Sequence, residues 1–315
     1  MEHSVGEQQR GRLVAWAALA LVGVTAVWGS TFFLIKGLLT EVSALDFLTV
    51  RFAMAAAVGA LVFARRLAAA SSEIWVKGLA LGLVYFVAQV LQTVGLRTTD
   101  ASISGFITGM YVVLTPVLLW MLFGQRVSPR VWLATALATV GLMALSLRGL
   151  HMGAGEVLTL AGALLYAVHI VLVARWVRGA DPLALAVIQL IAIAGAASVT
   201  AVARGLTVPT SLSAWGLTVP TSLSAWAAIT YMALAAALGA MVAQTWAQAH
   251  LSATTAAIIM VTEPVFAAFF ALLFGGEALS VRLVVGGALI LAGRLLTEGG
   301  GSFRRRRFRP AAEPA

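Results

Sequence analysis

The sequence has no cysteine and little charge: Asp, Glu, Lys and Arg together make up 10% of its 315 residues. Without cysteine there is no disulfide framework, no thiolate nucleophile and no Cys-ligated metal. A charged share this far below the typical quarter excludes a soluble enzyme, a secreted scaffold and a nucleic-acid-binding domain. Also missing are a phosphate-cradling Gly loop, a metal-ligand cluster and a nucleophile–base pair at useful spacing, and the four His residues lie far apart. No catalytic residue, metal or cofactor is therefore expected. What fills the chain is apolar side chain, 61% of the residues, for a mean hydropathy of +0.98. At roughly 20 residues per membrane-spanning helix that share supplies close to ten spans. Nothing is left for a folded extramembrane domain.

The apolar runs place spans at about 13–35, 44–64, 74–95, 100–123, 130–148, 156–177, 183–203, 225–247, 252–274 and 281–297. The first follows the polar tail 1–12; it is too long for a cleaved signal segment and reads as a retained span. The breaks fall at charge, Gly or Pro, as at Arg65-Arg66, Gln125 to Pro129 and Gly275 to Glu277. With the N-terminus inside, 15 of the 21 Lys and Arg residues fall on the inner side, among them Arg10, Arg12, Arg65, Arg66, Arg175, Arg178 and Arg304 to Arg307. The positive-inside rule then puts both termini in the cytoplasm. That gives the net charge of +9 a topological use, and the basic tail 298–315 reads as an anchor with an anionic-lipid contact second. No nucleic-acid partner is expected. The partners are membrane lipid and a small-molecule substrate, with the chain acting as a monomer.

Two internal repeats are visible. Gln92-Thr93 matches Gln244-Thr245, Ala101 matches Ala253, Gly124-Gln125 matches Gly276-Glu277, Ser128 matches Ser280 and Gly141 matches Gly293, every pair 152 residues apart. Nearer the start the offset is 138–139, as in Gly23 with Gly162, Lys36 with Arg175 and Arg51 with Gln189. Two five-span halves, 13–150 and 151–297, follow. Five is odd, so the second half enters from the opposite face, an inverted-topology design recurrent in secondary transporters. The smaller repeat is a tandem copy, GLTVPTSLSAW at 205–215 and 216–226. Its Pro, Ser and Thr content reads as irregular surface chain without a transport role.

VWGSTFFLIKGL in the first span, TVRFAMAA in the second, ASISGFITGMYVVLTP in the fourth and TEPVFAA…GGEALS…GGALILAG toward the end resemble the EamA-type transporters of the drug/metabolite transporter superfamily. The resemblance covers roughly 13–297. It implies an all-α membrane protein with ten transmembrane helices in two EamA repeats. It is strongest to bacterial inner-membrane exporters of amino acids and related metabolites, aromatic amino-acid exporters among them. The first repeat carries Gln125 where the family usually has Glu, and the second keeps Glu277. Both lie at a helix end, so the difference is expected to bear on capping and not on substrate choice.

Polar side chains in hydrocarbon need a partner or a water-filled cavity. Tyr85, Gln89 and Gln92 share one helical face by their i, i+4, i+7 spacing, as do Ser104, Thr108, Tyr111 and Thr115 on the next span. The equivalent faces of the second half carry Ala237, Met241 and Gln244, and Ala256, Met260 and Glu263. Trp28 and Ser30 on the first span and Tyr166 and His169 on the sixth complete the set. Each alone can be an interhelical hydrogen bond in a packed bundle; together the stripes fit a central cavity. Glu263, the one acidic residue in mid-span, directly precedes Pro264, which deprives a carbonyl near Met260 of its donor. A protonated Glu263 can serve that carbonyl, or Glu263 can be a coupling or substrate-ammonium site. Arg51 can pair with a substrate carboxylate or snorkel to the outer surface. His169 can titrate or bond a neighbouring helix. Gly78/Gly82 and Gly105/Gly109, each four apart, permit close helix approach. The reading is an exporter of amino acids, aromatic and apolar ones included, working by alternating access. A proton-coupled multidrug or other metabolite exporter is the alternative, with a membrane scaffold or intramembrane enzyme remote.

Overall fold

The computed structural model of the chain describes residues 2–124, 128–146, 152–203, 222–251, 255–256 and 259–298. Gln125, Arg126, Arg148, Arg204, Ala253, most of the tandem copy and the basic tail lie outside the described residues. Among the described residues every regular element is a helix. In chain order they are α1 Glu2–Leu38, α2 Ala44–Val62, α3 Ala64–Ala68, α4 Ser72–Gly95, α5 Ala101–Thr108, α6 Tyr111–Phe123, α7 Pro129–Ser146, α8 Ala154–Trp176 and α9 Pro182–Val202. There follow α10 Leu223–Tyr231, α11 Ala240–His250, α12 Glu263–Phe274 and α13 Val281–Glu298. Seven stretches are long and apolar enough to cross a bilayer: Gly11–Leu38, Ala44–Val62, Ser72–Gly95, Ala101–Phe123, Ala154–Trp176, Pro182–Ala201 and Leu223–His250. Trp132–Gly141, Glu263–Phe274 and Val281–Gly293 are apolar but shorter.

Local chemistry explains where these helices begin. Ser43, Ser71, Asp181 and Ser222 are extended N-caps whose side-chain oxygens accept from backbone N–H groups of the first turn, and Pro182 occupies the first turn of α9. Most of the polar N-terminal segment continues the first helix. Helix α1 starts at Glu2, because Glu, Gln and Arg are good helix formers that extend an existing helix at little cost. Gly124 and Gly276 adopt φ of 62° and 68°, a left-handed conformation that favours glycine. They are 152 residues apart and follow α6 and α12.

Three expected spans are not continuous helices. The 100–123 span is divided at Gly109-Met110 into α5 and α6. The 225–247 span contains a π-helical segment, Met232–Gly239, between α10 and α11, and a 3-10 turn, Met260–Thr262, precedes α12. The first and third of these breaks are in register: Thr108 and Tyr111 bound the first, and Met260 and Glu263, 152 residues on, are the first residue of the 3-10 turn and the residue after it.

Helix packing joins the two ends of the chain. α7 lies against α13, α2 against α9, and α5 against α12; α4 packs on α8 and α9, α1 on α11 and α12, and α6 on α8. At the α4–α9 seam a Cβ on Gly82 would lie 2.5 Å from both Ala192 Cβ and the Gln189 carbonyl oxygen, and one on Gly78 would lie 2.5 Å from Ile188 Cγ2. Gly105 makes the same kind of approach to Ala267 on α12. Large apolar side chains such as Trp16, Leu61, Val76, Met121 and Phe274 point outward and stay exposed, as a lipid-facing surface requires.

Candidate functional site

Between these helices lies a cavity with a wall from both halves of the chain. α1 contributes Trp28, Thr31, Phe32 and Ile35; α2 contributes Arg51; α4 contributes Tyr85, Gln89 and Gln92, with Leu96 just beyond. Thr108 ends α5 and Tyr111 begins α6. Tyr166, His169 and Ile170 come from α8, Gln244 from α11, and Met260 and Glu263 from the broken start of α12. Twelve of the predicted site residues therefore face one space: Trp28, Arg51, Tyr85, Gln89, Gln92, Thr108, Tyr111, Tyr166, His169, Gln244, Met260 and Glu263. Ser30 and Met241 do not line it. Ser30 turns to the Tyr231 hydroxyl at 2.8 Å, and Met241 is packed in the core. Phe32 and Ile35 were missed, although with Trp28 they repeat the i, i+4, i+7 spacing that singled out α4.

The cavity wall is a hydrogen-bonded network. Gln92 donates through Nε2 to Thr108 Oγ1 at 2.9 Å and accepts from the Tyr166 hydroxyl at 2.8 Å. Gln89 and Tyr85, one turn apart, meet at 3.4 Å. His169 Nε2 lies 2.6 Å from Gln189 Oε1 on α9. The ring of Tyr85 packs edge-on against those of Tyr166 and His169, 5.3 and 5.0 Å away.

Arg51 departs from the snorkelling expectation. It is 2% exposed and stays inside the bundle, its Nε donating to the Met232 carbonyl at 3.1 Å. Its guanidinium carbon lies 5.0 Å from the Phe52 ring centre and 5.8 Å from that of Phe47. Among the described residues Nη1 has no hydrogen-bond partner. Trp28 Nε1 donates to the Ala236 carbonyl at 2.8 Å. Arg51 and Trp28 thus both hold carbonyls of the π-helical segment, a kind of irregularity common at functional sites. Sequence spacing carried no sign of that segment, whose residues MALAAALG are ordinary helix formers.

At the second break the Tyr111 hydroxyl lies 2.8 Å from Glu263 Oε2 and 3.1 Å from the Met260 carbonyl oxygen. Pro264 has no N–H to give that carbonyl, which accepts from the Glu263 N–H and from the Tyr111 hydroxyl. Thr262 is also tied to α1, through Thr25 at 2.8 Å.

Past Ile35 and Leu96 the bundle is fastened by polar contacts. Lys36 Nζ reaches Asp100 Oδ1 at 3.1 Å and the Thr99 carbonyl at 2.9 Å. Glu277 Oε1 accepts from the Ala101 N–H at 2.6 Å, and its Oε2 from the Ser102 hydroxyl at 2.5 Å. Glu277 therefore caps α5, in line with the helix-end role expected for it. The cavity it stands over offers the centre of a water-sized sphere about 40 Å³, room for roughly three water molecules. A larger guest needs the helices to part.

Comparison with known proteins agrees with this architecture. The model of the EamA-like transporter family matches residues 15–147 and again 153–298. An uncharacterized transporter of Archaeoglobus fulgidus is 32% identical over 281 residues, covering 89% of this chain and 84% of its own length. A crystal structure of another protein shares the fold at a TM-score of 0.62 with 20% identity, over 88% of this chain and 95% of that one. A buried polar cavity, broken helices at matched positions and two family matches spanning the chain converge: this is a multi-pass membrane protein that belongs to the EamA-like transporter family.

Proposed function

We propose that the chain is a ten-span, inverted-repeat exporter of amino acids with aromatic or apolar side chains, resident in the bacterial cytoplasmic membrane and working by alternating access. The main packing pairs support the inverted repeat. Exchanging every helix for its counterpart in the other half turns α4 on α8 into α11 on α1 and α6 on α8 into α12 on α1. The same exchange returns α2 on α9 and α7 on α13 to themselves. A substrate site between such halves, where helices are broken, is a recurring transporter arrangement.

The observation that carries the substrate class is the pairing of groups in the cavity. One guanidinium, Arg51, and one carboxyl, Glu263, face the same space as the rings of Trp28, Tyr85, Tyr111 and Tyr166. A zwitterion with an apolar or aromatic side chain matches all three: carboxylate to Arg51, ammonium to Glu263, side chain among the rings. A phosphate or nucleotide-sugar carrier calls for several cationic groups at the substrate, and this cavity has one. The test is counterflow in liposomes preloaded with unlabelled phenylalanine, leucine or other amino acids. Saturable uptake of the labelled amino acid is expected, and its absence for every amino acid tried sinks the substrate reading. Saturable exchange of hydrophobic cations in its place supports the multidrug alternative, which Glu263 in an aromatic cavity would also serve.

A further inference from the structure

We infer that Gln244 is a specificity-determining residue: its side-chain oxygen is held in reserve for an N–H of the substrate's amino group, so that the cavity prefers a primary ammonium to a methylated one. The inference starts from two glutamines that the repeat makes equivalent. Gln92 and Gln244 stand 152 residues apart, and both line the cavity. In the first half the amide is engaged at both ends. Gln92 Nε2 donates to Thr108 at 2.9 Å, and Oε1 accepts from the Tyr166 hydroxyl at 2.8 Å. The same offset of 152 puts Met260 in the place of Thr108. The offset of 139 that pairs Gly23 with Gly162 and Lys36 with Arg175 puts Val27 in the place of Tyr166. A thioether is a weak acceptor, and an isopropyl group donates nothing. The second half keeps the glutamine and drops both groups that fasten its counterpart.

Gln244 is 2% exposed, and among the described residues its Oε1 has no hydrogen-bond partner. An amide oxygen buried in that condition destabilises the protein that carries it. Such a cost is typical of groups kept for a ligand and not for packing. Gln89 on α4 repeats the pattern: its Oε1 is buried, belongs to a residue of the same cavity wall and has no partner among the described residues. With the Glu263 carboxyl, acceptors from α4, α11 and α12 face one space. A primary ammonium brings three N–H donors to them. A quaternary ammonium carries the same charge and no N–H, so it can pair with Glu263 but leaves both amide oxygens unsatisfied. Sites with buried polar groups reject an analogue that cannot bond them much more strongly than an apolar wall rejects a change of size.

The ligand's chemistry rests on the proposed function, whereas the condition of Gln244 does not, and melting curves of the whole protein in detergent separate the two. Without ligand, Gln244→Leu should raise the melting temperature and Gln92→Leu should lower it. A fall for both overturns the reserved acceptor. Ligand-induced shifts then compare phenylalanine with its N-methyl, N,N-dimethyl and N,N,N-trimethyl derivatives and its methyl ester, and 2-phenylethylamine with its own methylated series. For the wild type the apparent dissociation constant should rise with each methyl group. Gln244→Leu should weaken phenylalanine by about 10- to 100-fold, the range of one hydrogen bond to a charged group, and leave the trimethyl derivative unchanged. Gln244→Glu, which keeps an acceptor, should keep the graded series. An equal loss for every amine, or a loss that follows esterification and not methylation, overturns the inference and leaves the amino-acid reading standing. Tighter binding of the trimethyl derivative than of phenylalanine overturns it in favour of a carrier of hydrophobic cations. A graded series for 2-phenylethylamine with no shift for any amino acid removes the amino-acid reading and keeps the inference. No shift with either series overturns both.

Discussion

At the scale of single residues, the cost of keeping Arg51 inside the bundle is the most informative quantity. A guanidinium without water is expensive unless partnered, yet among the described residues Nε has a bonded carbonyl and Nη1 has no partner. Two flanking rings offset part of that cost, and a substrate carboxylate would supply the rest. A charge-assisted hydrogen bond contributes about 1.5–3 kcal/mol. Arg51→Gln should therefore raise the half-saturation concentration for amino acids by about 10- to 100-fold, and much less for their amides or esters, as measured by counterflow. Asp181 makes a different kind of prediction. Burial pushes its carboxyl up, but the Arg66 guanidinium at 2.6 Å and the N–H groups of Leu183 and Ala184 outweigh that and hold it below the usual range. A depressed folded-state value stabilises above the unfolded value of about 3.9 and is lost as the pH falls through the folded one. The melting temperature of the wild type should exceed that of Asp181→Asn by a constant margin above about pH 5. That margin should shrink on acidification below about pH 4.

Among the elements, the seam between α4 and α9 is the most tightly defined. A valine at position 82 must place its Cβ where Ala192 Cβ and the Gln189 carbonyl already sit, so helix separation is forced. Overpacking of this kind costs about 1–3 kcal/mol. Gly82→Val should lower the unfolding temperature in detergent, whereas Gly195→Ala, which meets nothing within 4 Å, should leave it unchanged. The Gly78/Gly82 spacing made that seam legible in the sequence, and helical periodicity made Tyr85, Gln89 and Gln92 legible as one face. The breaks were not. Pro264 signals a freed carbonyl and Gly109 is a poor helix former, but the π-helical segment has a composition that suits a straight helix, and the contacts of Arg51 and Trp28 to its carbonyls are tertiary. Ser30 lies two residues from Trp28, about 200° around the helix, and its hydroxyl meets that of Tyr231 away from the cavity.

For the whole molecule, Lys36, Asp100 and Glu277 form a latch at one end of the bundle. The repeat offsets pair Lys36 with Arg175, Asp100 with Ser252 and Glu277 with Gln125. The cation is kept and both carboxylates are replaced. Arg175 instead lies 4.8 Å from the centre of the Phe123 ring. In the proposed orientation the fastened end is the outer one. Asp100→Asn with Glu277→Gln should open that end. The natural absence of cysteine permits a direct check, with a single cysteine placed at Ile35. Labelling by an impermeant maleimide added outside should be slow in the parent and several-fold faster in the double variant.

The unequal ends have a consequence for how transport is balanced. A latch that is neither formed nor broken over a full cycle performs no net work, so it cannot by itself drive export. Under the proposed alternating access it would set how the empty carrier divides its time, and the apparent dissociation constant scales inversely with the fraction of carrier presenting a site. A carrier that waits fastened at its outer end meets cytoplasmic substrate with most of its copies and external substrate with few. Internal half-saturation should then be low and external half-saturation high, while without a gradient the ratio of maximal rate to half-saturation stays equal on the two sides. Two neutralised residues, Ser252 and Gln125, would thus make a near-symmetric molecule behave as a rectifier of affinity and not of energy.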